Sequence, residues 1–188
     1  MSTAATCTSV SHDLSAQGVS TFDTLAVVAT TFAPLWHRVH SPTDSAVVEF
    51  HGAAANGYVA PAKSARQPVN AAIRTGAFES GLVEWIVPAA ALQSGYEATI
   101  AAFNIWSNHE DTTKYRVTGS EALRLRNGRA DTWVVRIDHG PEDKAVRLMW
   151  IDKATGRTLK TFDAPPRPGA SGDGYWKLSR LLAPEPSR

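Results

Sequence analysis

The stretch RLMWIDKATGRTLKTFD, from Arg147 to Asp163, decides the fold class. It places apolar residues on both sides of a short charged turn, in which Gly156 supplies the positive φ that a tight turn requires. Thr158 to Phe162 then returns as a second strand. Short strands separated by Gly, Pro, Asn and Asp recur from about Phe22 onward, and this pattern predicts a mainly β, antiparallel structure.

Two further stretches predict hairpins. Residues 31–52 form one around the turn from Ser41 to Asp44, where Pro42 presets φ at the first inner position of the turn. Residues 132–152 form the other. In that second hairpin, Trp133, Val135 and Ile137 are expected on one face, opposite Val146, Leu148 and Trp150.

One segment interrupts the strand pattern. In FESGLVEWIVPAAAL the apolar residues are spaced as on one face of a helix. We expect one helix from about Ser80 to Ala91, with Ser80 as the N-cap. Pro88 lies near its end, since proline lacks the backbone donor that a continuing helix needs.

Length and composition predict one domain. The chain has 188 residues, 43% of them hydrophobic, which suffices for one core and falls short of two independent ones. We expect an irregular leader over residues 1–20, a single antiparallel β domain over residues 21–182 and a frayed tail over residues 183–188.

The charge balance excludes long-range attraction to polyanions. Nineteen Lys and Arg against eighteen Asp and Glu give a net charge of +1, so any partner has to be recognised locally. The basic tip from Arg124 to Arg129 is therefore expected to be a solvated turn, and no nucleic-acid partner is expected. The first residues show no secretory signal, no apolar run reaches the length of a transmembrane segment, and the lone Cys7 has no partner for a disulfide.

The order of helix and strands carries a resemblance. Its motifs are LQSGYEATIAAFN, ADTWVVRID and RLMWIDKATGRTLKTFD, preceded by TTFAPLWHRVH. Between Phe22 and Lys177 the chain resembles a family of uncharacterised bacterial envelope domains related in shape to lipoprotein-carrier and lipoprotein-receptor proteins, the Lol-type fold. The resemblance implies a single curved antiparallel sheet, or half-barrel, wrapped around one short helix with an apolar cavity between them. It also implies an extracytoplasmic location, in the periplasm or at the outer membrane.

The chain departs from that family pattern at its start. Residues 1–20 lack the extra strands expected before FDTLAVVAT, which leaves the sheet short at one edge. An exposed edge strand pairs readily with another chain, so a homodimer or a partner strand is expected there.

The aromatic side chains are the most informative candidates for a binding site. They fall on the predicted strands and helix: Trp36, Phe50, Trp85, Phe103, Trp106, Trp133 and Trp150. Large rings fill the core of any domain, and that is one interpretation. The other is an apolar cavity wall that holds a lipid or acyl chain, with Trp36 and Trp106 at the mouth because their neighbours are polar.

Metal and catalytic motifs are weak. His37, His40 and His51 lie near one hairpin, but residues three apart on a strand point to opposite faces, so no zinc site is expected. Two acidic loops offer candidates for metal-assisted hydrolysis, namely His109, Asp111, His139 and Asp143. Solvated hairpin tips are the alternative interpretation of both loops.

Two functions follow. The first is a non-catalytic envelope module that needs no cofactor and holds a hydrophobic ligand, or docks a partner, in a concave apolar sheet. The second is a small hydrolase of acyl esters or lactones that uses a divalent metal such as calcium.

Overall fold

A computed structural model of the chain describes residues 6–14, 20–62, 64–125, 128–140, 146–164 and 176–177. The strands are β1 Thr6–Leu14, β2 Ser20–Val28, β3 Pro34–His40, β4 Ser45–Phe50, β5 Ala54–Ala60, β6 Gln67–Ala72, β7 Phe78–Glu79, β8 Glu97–Asn104, β9 His109–Leu125, β10 Gly128–Asp138, β11 Val146–Asp152, β12 Thr158–Ala164 and β13 Trp176–Lys177. A 3-10 turn, Ser80–Leu82, leads into the helix α1, Val83–Ala89. The mainly β class with one short helix is confirmed.

The strands divide between two sheets, where the sequence predicts one. The first sheet has six strands in the order β1-β2-β3-β4-β5-β6, and every neighbouring pair is antiparallel. The predicted hairpin around Ser41 to Asp44 is confirmed, because His40 pairs with Ser45 across it. The Ser41 hydroxyl accepts the backbone N–H of Asp44 at 2.7 Å and so fixes the turn.

The second sheet has seven strands in the order β13-β12-β11-β10-β9-β8-β7 and curls into a half-barrel. Its pairs from β9 to β13 are antiparallel, and β7 runs parallel to β8. The register shifts in the β9–β10 pair between Val134 and Val135. Such a bulge bends a strand and strengthens its twist, which favours curling.

The predicted β10–β11 hairpin is confirmed, but its expected cross-strand partners are wrong by one position. Trp133 pairs with Ile151 and Val135 with Met149. Trp150, which the alternating pattern predicts as a partner on that face, lies between Met149 and Ile151 and is buried with them. Because consecutive residues of β11 are buried, both of its faces are apolar, and an alternating pattern cannot decide the register.

The predicted helix is confirmed near its expected position, and its cap is different. The carboxylate of Glu79, and not the hydroxyl of Ser80, accepts the backbone N–H of Gly81 at 2.7 Å. Glu79 therefore satisfies a donor that the first turn leaves without a helical partner. Pro88 lies in the last turn, and α1 ends one residue later at Ala89.

The prediction of an irregular leader over residues 1–20 is wrong where the structure describes it. β1 pairs with β2 along its whole length, from Thr6 opposite Val28 to Leu14 opposite Ser20. The backbone of β2 supplies hydrogen-bonding partners for this stretch, whose polar residues do not by themselves indicate a strand. The predicted tail over residues 183–188 lies outside the described residues.

Contacts divide the chain into two compact units, where the sequence predicts one domain over residues 21–182. The first unit comprises Met1–Val83 and Ile100–Asp111, and the second comprises Glu84–Thr99 and Thr112–Arg188. The first unit has a continuous core of its own: Val39, Ala46, Val48, Phe50, Ala55, Val59, Val69, Ile73, Phe103 and Ile105. Among the helices of the described residues, none has the length and apolar character needed to cross a membrane.

Candidate functional site

The turn between β8 and β9 presents a tryptophan to solvent. The backbone N–H groups of Trp106 and Ser107 donate to the side-chain oxygen of Asn104 at 2.9 Å and 3.4 Å. Ile105 is fully buried, and Asn108 has a positive φ of 51° that closes the turn. The buried Ile105 and the hydrogen bonds to Asn104 hold the turn in place, while Trp106 keeps 38% of its surface exposed.

The other aromatic candidates of the first unit are less exposed. Phe50 and Phe103 are buried and meet edge to face, with ring centroids 6.2 Å apart, so they fill the core. Trp36 is half-buried, and the guanidinium carbon of Arg38 lies 4.7 Å from its ring centroid. Residues two apart on a strand share a face, which explains this cation–π contact. Trp106 is therefore the most exposed of the aromatic candidates in this unit, although Phe22, which is not one of them, is 45% exposed.

Three of the candidate tryptophans lie in the second unit, in three different environments. Trp85 on α1 is 50% exposed. Trp133 is half-buried, with the ammonium of Lys153 4.0 Å from its ring centroid. Trp150 is buried and donates from its indole N–H to the carboxylate of Glu121 at 2.7 Å. A buried tryptophan with a satisfied N–H is a structural residue, so Trp150 packs the interior.

The candidates for a metal centre are only partly brought together. His109 Nε2 lies 3.8 Å from Asp111 Oδ1 in the first unit. His139 belongs to the second unit, and Asp143 lies outside the described residues. In the described parts of the chain, no group of three His, Cys, Asp or Glu side chains is arranged to hold a metal ion.

A buried histidine between two carboxylates is the feature that the sequence did not reveal. His37 on β3 and Glu79 on β7 are buried, and Asp23 on β2 is partly exposed. His37 Nε2 lies 2.7 Å from Asp23 Oδ1, and its Nδ1 lies 3.2 Å from Glu79 Oε1. The second contact is a close ion pair that is too poorly aligned to count as a hydrogen bond.

The surroundings of His37 determine its charge. Burial by itself lowers the pKa of the imidazole, but the interactions with Asp23 and then Glu79 outweigh it and raise the pKa to about 10. The ring is therefore an imidazolium at neutral pH. The two carboxylates contact opposite nitrogens and do not converge on one point, which makes this cluster an ion-pair site and not a ligand set for a metal.

The neighbouring histidines lie elsewhere. His40 is exposed while His37 is buried, which confirms that residues three apart on β3 face opposite sides. His51 is also exposed, and its Nε2 lies 3.5 Å from Glu49 Oε2. No signal in the sequence singles out Glu79, because its partner His37 is remote in the chain.

A shallow groove of about 330 Å³ lies at the start of β6 and is lined by Gly57, Tyr58, Arg66 and Pro68. The guanidinium carbon of Arg66 stands 3.3 Å from the ring centroid of Tyr58. This stacking holds the cation flat against the sheet. Gly57 is required behind the groove, since a Cβ there would lie 2.0 Å from the carbonyl oxygen of Val47.

Comparisons with known proteins identify the family and no closer relative. The family model for DUF3108, described as a protein of unknown function, matches residues 3–170. No curated protein and no solved structure matches the chain. The expectation of an uncharacterised family is confirmed. Since the match covers most of the sequence, the chain belongs to the DUF3108 family.

Proposed function

We propose that this protein is a non-catalytic module that binds the acyl chain of a lipid or fatty acid, with Trp106 as its principal contact. The observation that carries the proposal is the exposure of Trp106 on a turn that is already ordered. The resemblance to Lol-type envelope domains points to the same ligand class. A location in the cell envelope, which that resemblance implies, is part of the proposal.

The geometry of the turn favours binding. In the free protein the exposed part of the indole is in contact with water. A ligand that covers it removes this apolar surface from water, which is favourable. Because Asn104 already fixes the backbone of the turn, little conformational entropy is lost when the ring is covered. Tryptophan combines a large apolar area with a polar N–H, so it suits a ligand that has an apolar body and a wet end.

The composition of the surroundings suits a contact at the rim of a site. Ser107, Asn108 and His109 follow Trp106 and are exposed. Binding sites for apolar ligands usually combine aromatic walls with a few polar groups at the mouth. Trp36 supplies a second, half-buried ring in the same unit, whereas Phe50 and Phe103 are already used by the core.

The test is a titration with a fluorescent fatty acid. Trp106→Ala is expected to weaken binding at least ten-fold, which corresponds to about 1.4 kcal/mol. Trp85→Ala is the matched control, because Trp85 is also exposed but lies in the other unit, and it is expected to bind like the wild type. Equal effects of the two variants, or no binding by the wild type, would overturn the proposal.

The metal-assisted hydrolase stays a prediction without a supporting observation. The same titration carried out with EDTA separates the two functions, since an acyl-binding module keeps its affinity without metal. Ester or lactone turnover that is lost with EDTA and in His109→Ala would favour the enzyme instead.

Homodimer formation through an edge strand also stays a prediction. β6 is an edge strand of the first sheet. It contains Pro68, which lacks the backbone N–H that an added strand could use as a donor. The edge at which the sequence leads us to expect a partner strand, next to β2, is formed by β1.

A further inference from the structure

The end of the β9–β10 hairpin combines two opposed arginines with an exposed leucine. The register places Arg124 directly opposite Arg129 and Leu125 opposite Gly128. We call these four residues the hairpin end. All of them lie in the second unit, whereas the turn that carries Trp106 lies in the first.

The two arginines repel each other. Side chains directly opposite on antiparallel strands have Cβ atoms roughly 5 Å apart, and like charges at that position are destabilising. Both arginines are exposed, and neither forms a salt bridge with any carboxylate of the described residues. Within the described residues, Arg124 and Arg129 thus have no carboxylate within 4 Å, and the acidic residue on their face, Asp131, lies two positions further along β10.

A second pair of opposed arginines on the same hairpin shows the contrast. Arg116 lies opposite Arg136, but Asp138 neutralises Arg136 with a nitrogen–oxygen distance of 2.6 Å. Within the described residues, one arginine pair thus has a close ion pair with a carboxylate, and the other has none within 4 Å. Repulsion of the kind left at Arg124 and Arg129 is relieved when a shared anion binds between them.

The hairpin end also exposes an apolar side chain, that of Leu125. Leu125 lies on the same face of β9 as Leu123, which pairs with the buried Ala130. The partner of Leu125 is Gly128, which has no side chain to cover it. As a result Leu125 is 41% exposed. The hairpin end presents apolar surface on one face and guanidinium groups on the other.

We propose that the hairpin end docks on an anionic phospholipid surface. Arginine binds phosphate through two parallel N–H donors, and its long stem allows the charge to reach the headgroups while Leu125 enters the interface. The net charge of +1 provides no long-range steering, so the recognition is local and depends on these particular residues.

The test measures binding to vesicles. The wild type binds mixed phosphatidylcholine–phosphatidylglycerol vesicles and not pure phosphatidylcholine vesicles, and added salt weakens the binding. Arg124→Gln and Arg129→Gln each weaken binding about five-fold, equivalent to about 1 kcal/mol per arginine. Leu125→Asn weakens it without changing the dependence on salt.

Arg116→Gln is the matched control, since it removes the same charge from the same strand at the other arginine pair. It is expected to leave vesicle binding unchanged. Equal losses in Arg116→Gln and Arg124→Gln would overturn the proposal, and so would tighter binding to duplex DNA than to the mixed vesicles. Fatty-acid binding at Trp106 is unaffected by the hairpin variants, so failure here is distinguishable from failure of the proposed function.

Discussion

Nδ1 of His37 lies 3.2 Å from Oε1 of Glu79, and the two side chains are only 5% and 1% exposed. A buried carboxylate is costly unless a cation or several donors compensate it. Here the imidazolium supplies the charge, and the backbone N–H of Gly81 supplies a donor. One ion pair therefore fixes the residue that caps the 3-10 turn before α1.

The first prediction concerns this ion pair. His37→Leu leaves Glu79 buried without its cation, so the free energy of unfolding is expected to fall by about 3 to 5 kcal/mol. Adding Glu79→Gln to that variant removes the unpaired charge and recovers part of the loss. Denaturant unfolding measures both, with the exposed His40→Gln as a control expected to change stability by less than about 0.5 kcal/mol. A loss as small as that of the control would contradict this role of the ion pair.

The second prediction concerns the pH dependence of stability. The pKa of His37 is about 10 in the folded protein and 6.5 when unperturbed, so the folded state binds the extra proton between these values. Its stabilisation is complete below pH 6.5 and is lost as the pH rises through about 10. The free energy of unfolding should fall as the pH rises through this window in the wild type, and it should fall less steeply in His37→Leu. Identical slopes would show that His37 is neutral in the folded protein.

The third prediction concerns the backbone behind the groove. Gly57 has a φ of +152°, and an added Cβ would collide with the backbone of Val47 and Val48, which side-chain motion cannot relieve. Gly57→Ala is expected to lower the free energy of unfolding by about 2 to 3 kcal/mol. Gly119→Ala is the control, because a Cβ added at Gly119 would have no atom within 4 Å, and it should change stability by less than about 1 kcal/mol. Thermal unfolding followed by circular dichroism compares the two, and similar losses would argue against the clash.

The elements that depend on local residues were predictable from the sequence. The turn at Ser41 and the turn ending in Gly156 both appear where proline, aspartate and glycine predict them. The helix was predictable from its apolar spacing. Its cap was not predictable, because the position of the Glu79 side chain depends on its contact with His37 on β3 as well as on the turn itself.

The features that depend on tertiary structure were not predictable. β11 is apolar on both faces, as the burial of the consecutive residues Met149 and Trp150 shows. Its sequence therefore does not determine its register against β10. The pairing of β1 depends on β2 and not on its own composition. For the candidate site, polar neighbours indicated an exposed Trp106, but the same reasoning predicted exposure for Trp36, which Arg38 partly covers.

The most direct measurement of the central claim is the response of the tryptophan indole N–H signals in a nitrogen-15 NMR spectrum during titration with a fatty acid. We predict that the Trp106 signal shifts progressively, because its exposed ring contacts the acyl chain. The Trp150 signal should stay in place, since its N–H is buried and donates to Glu121. A Trp106 signal that stays fixed while the fatty acid binds would contradict the claim.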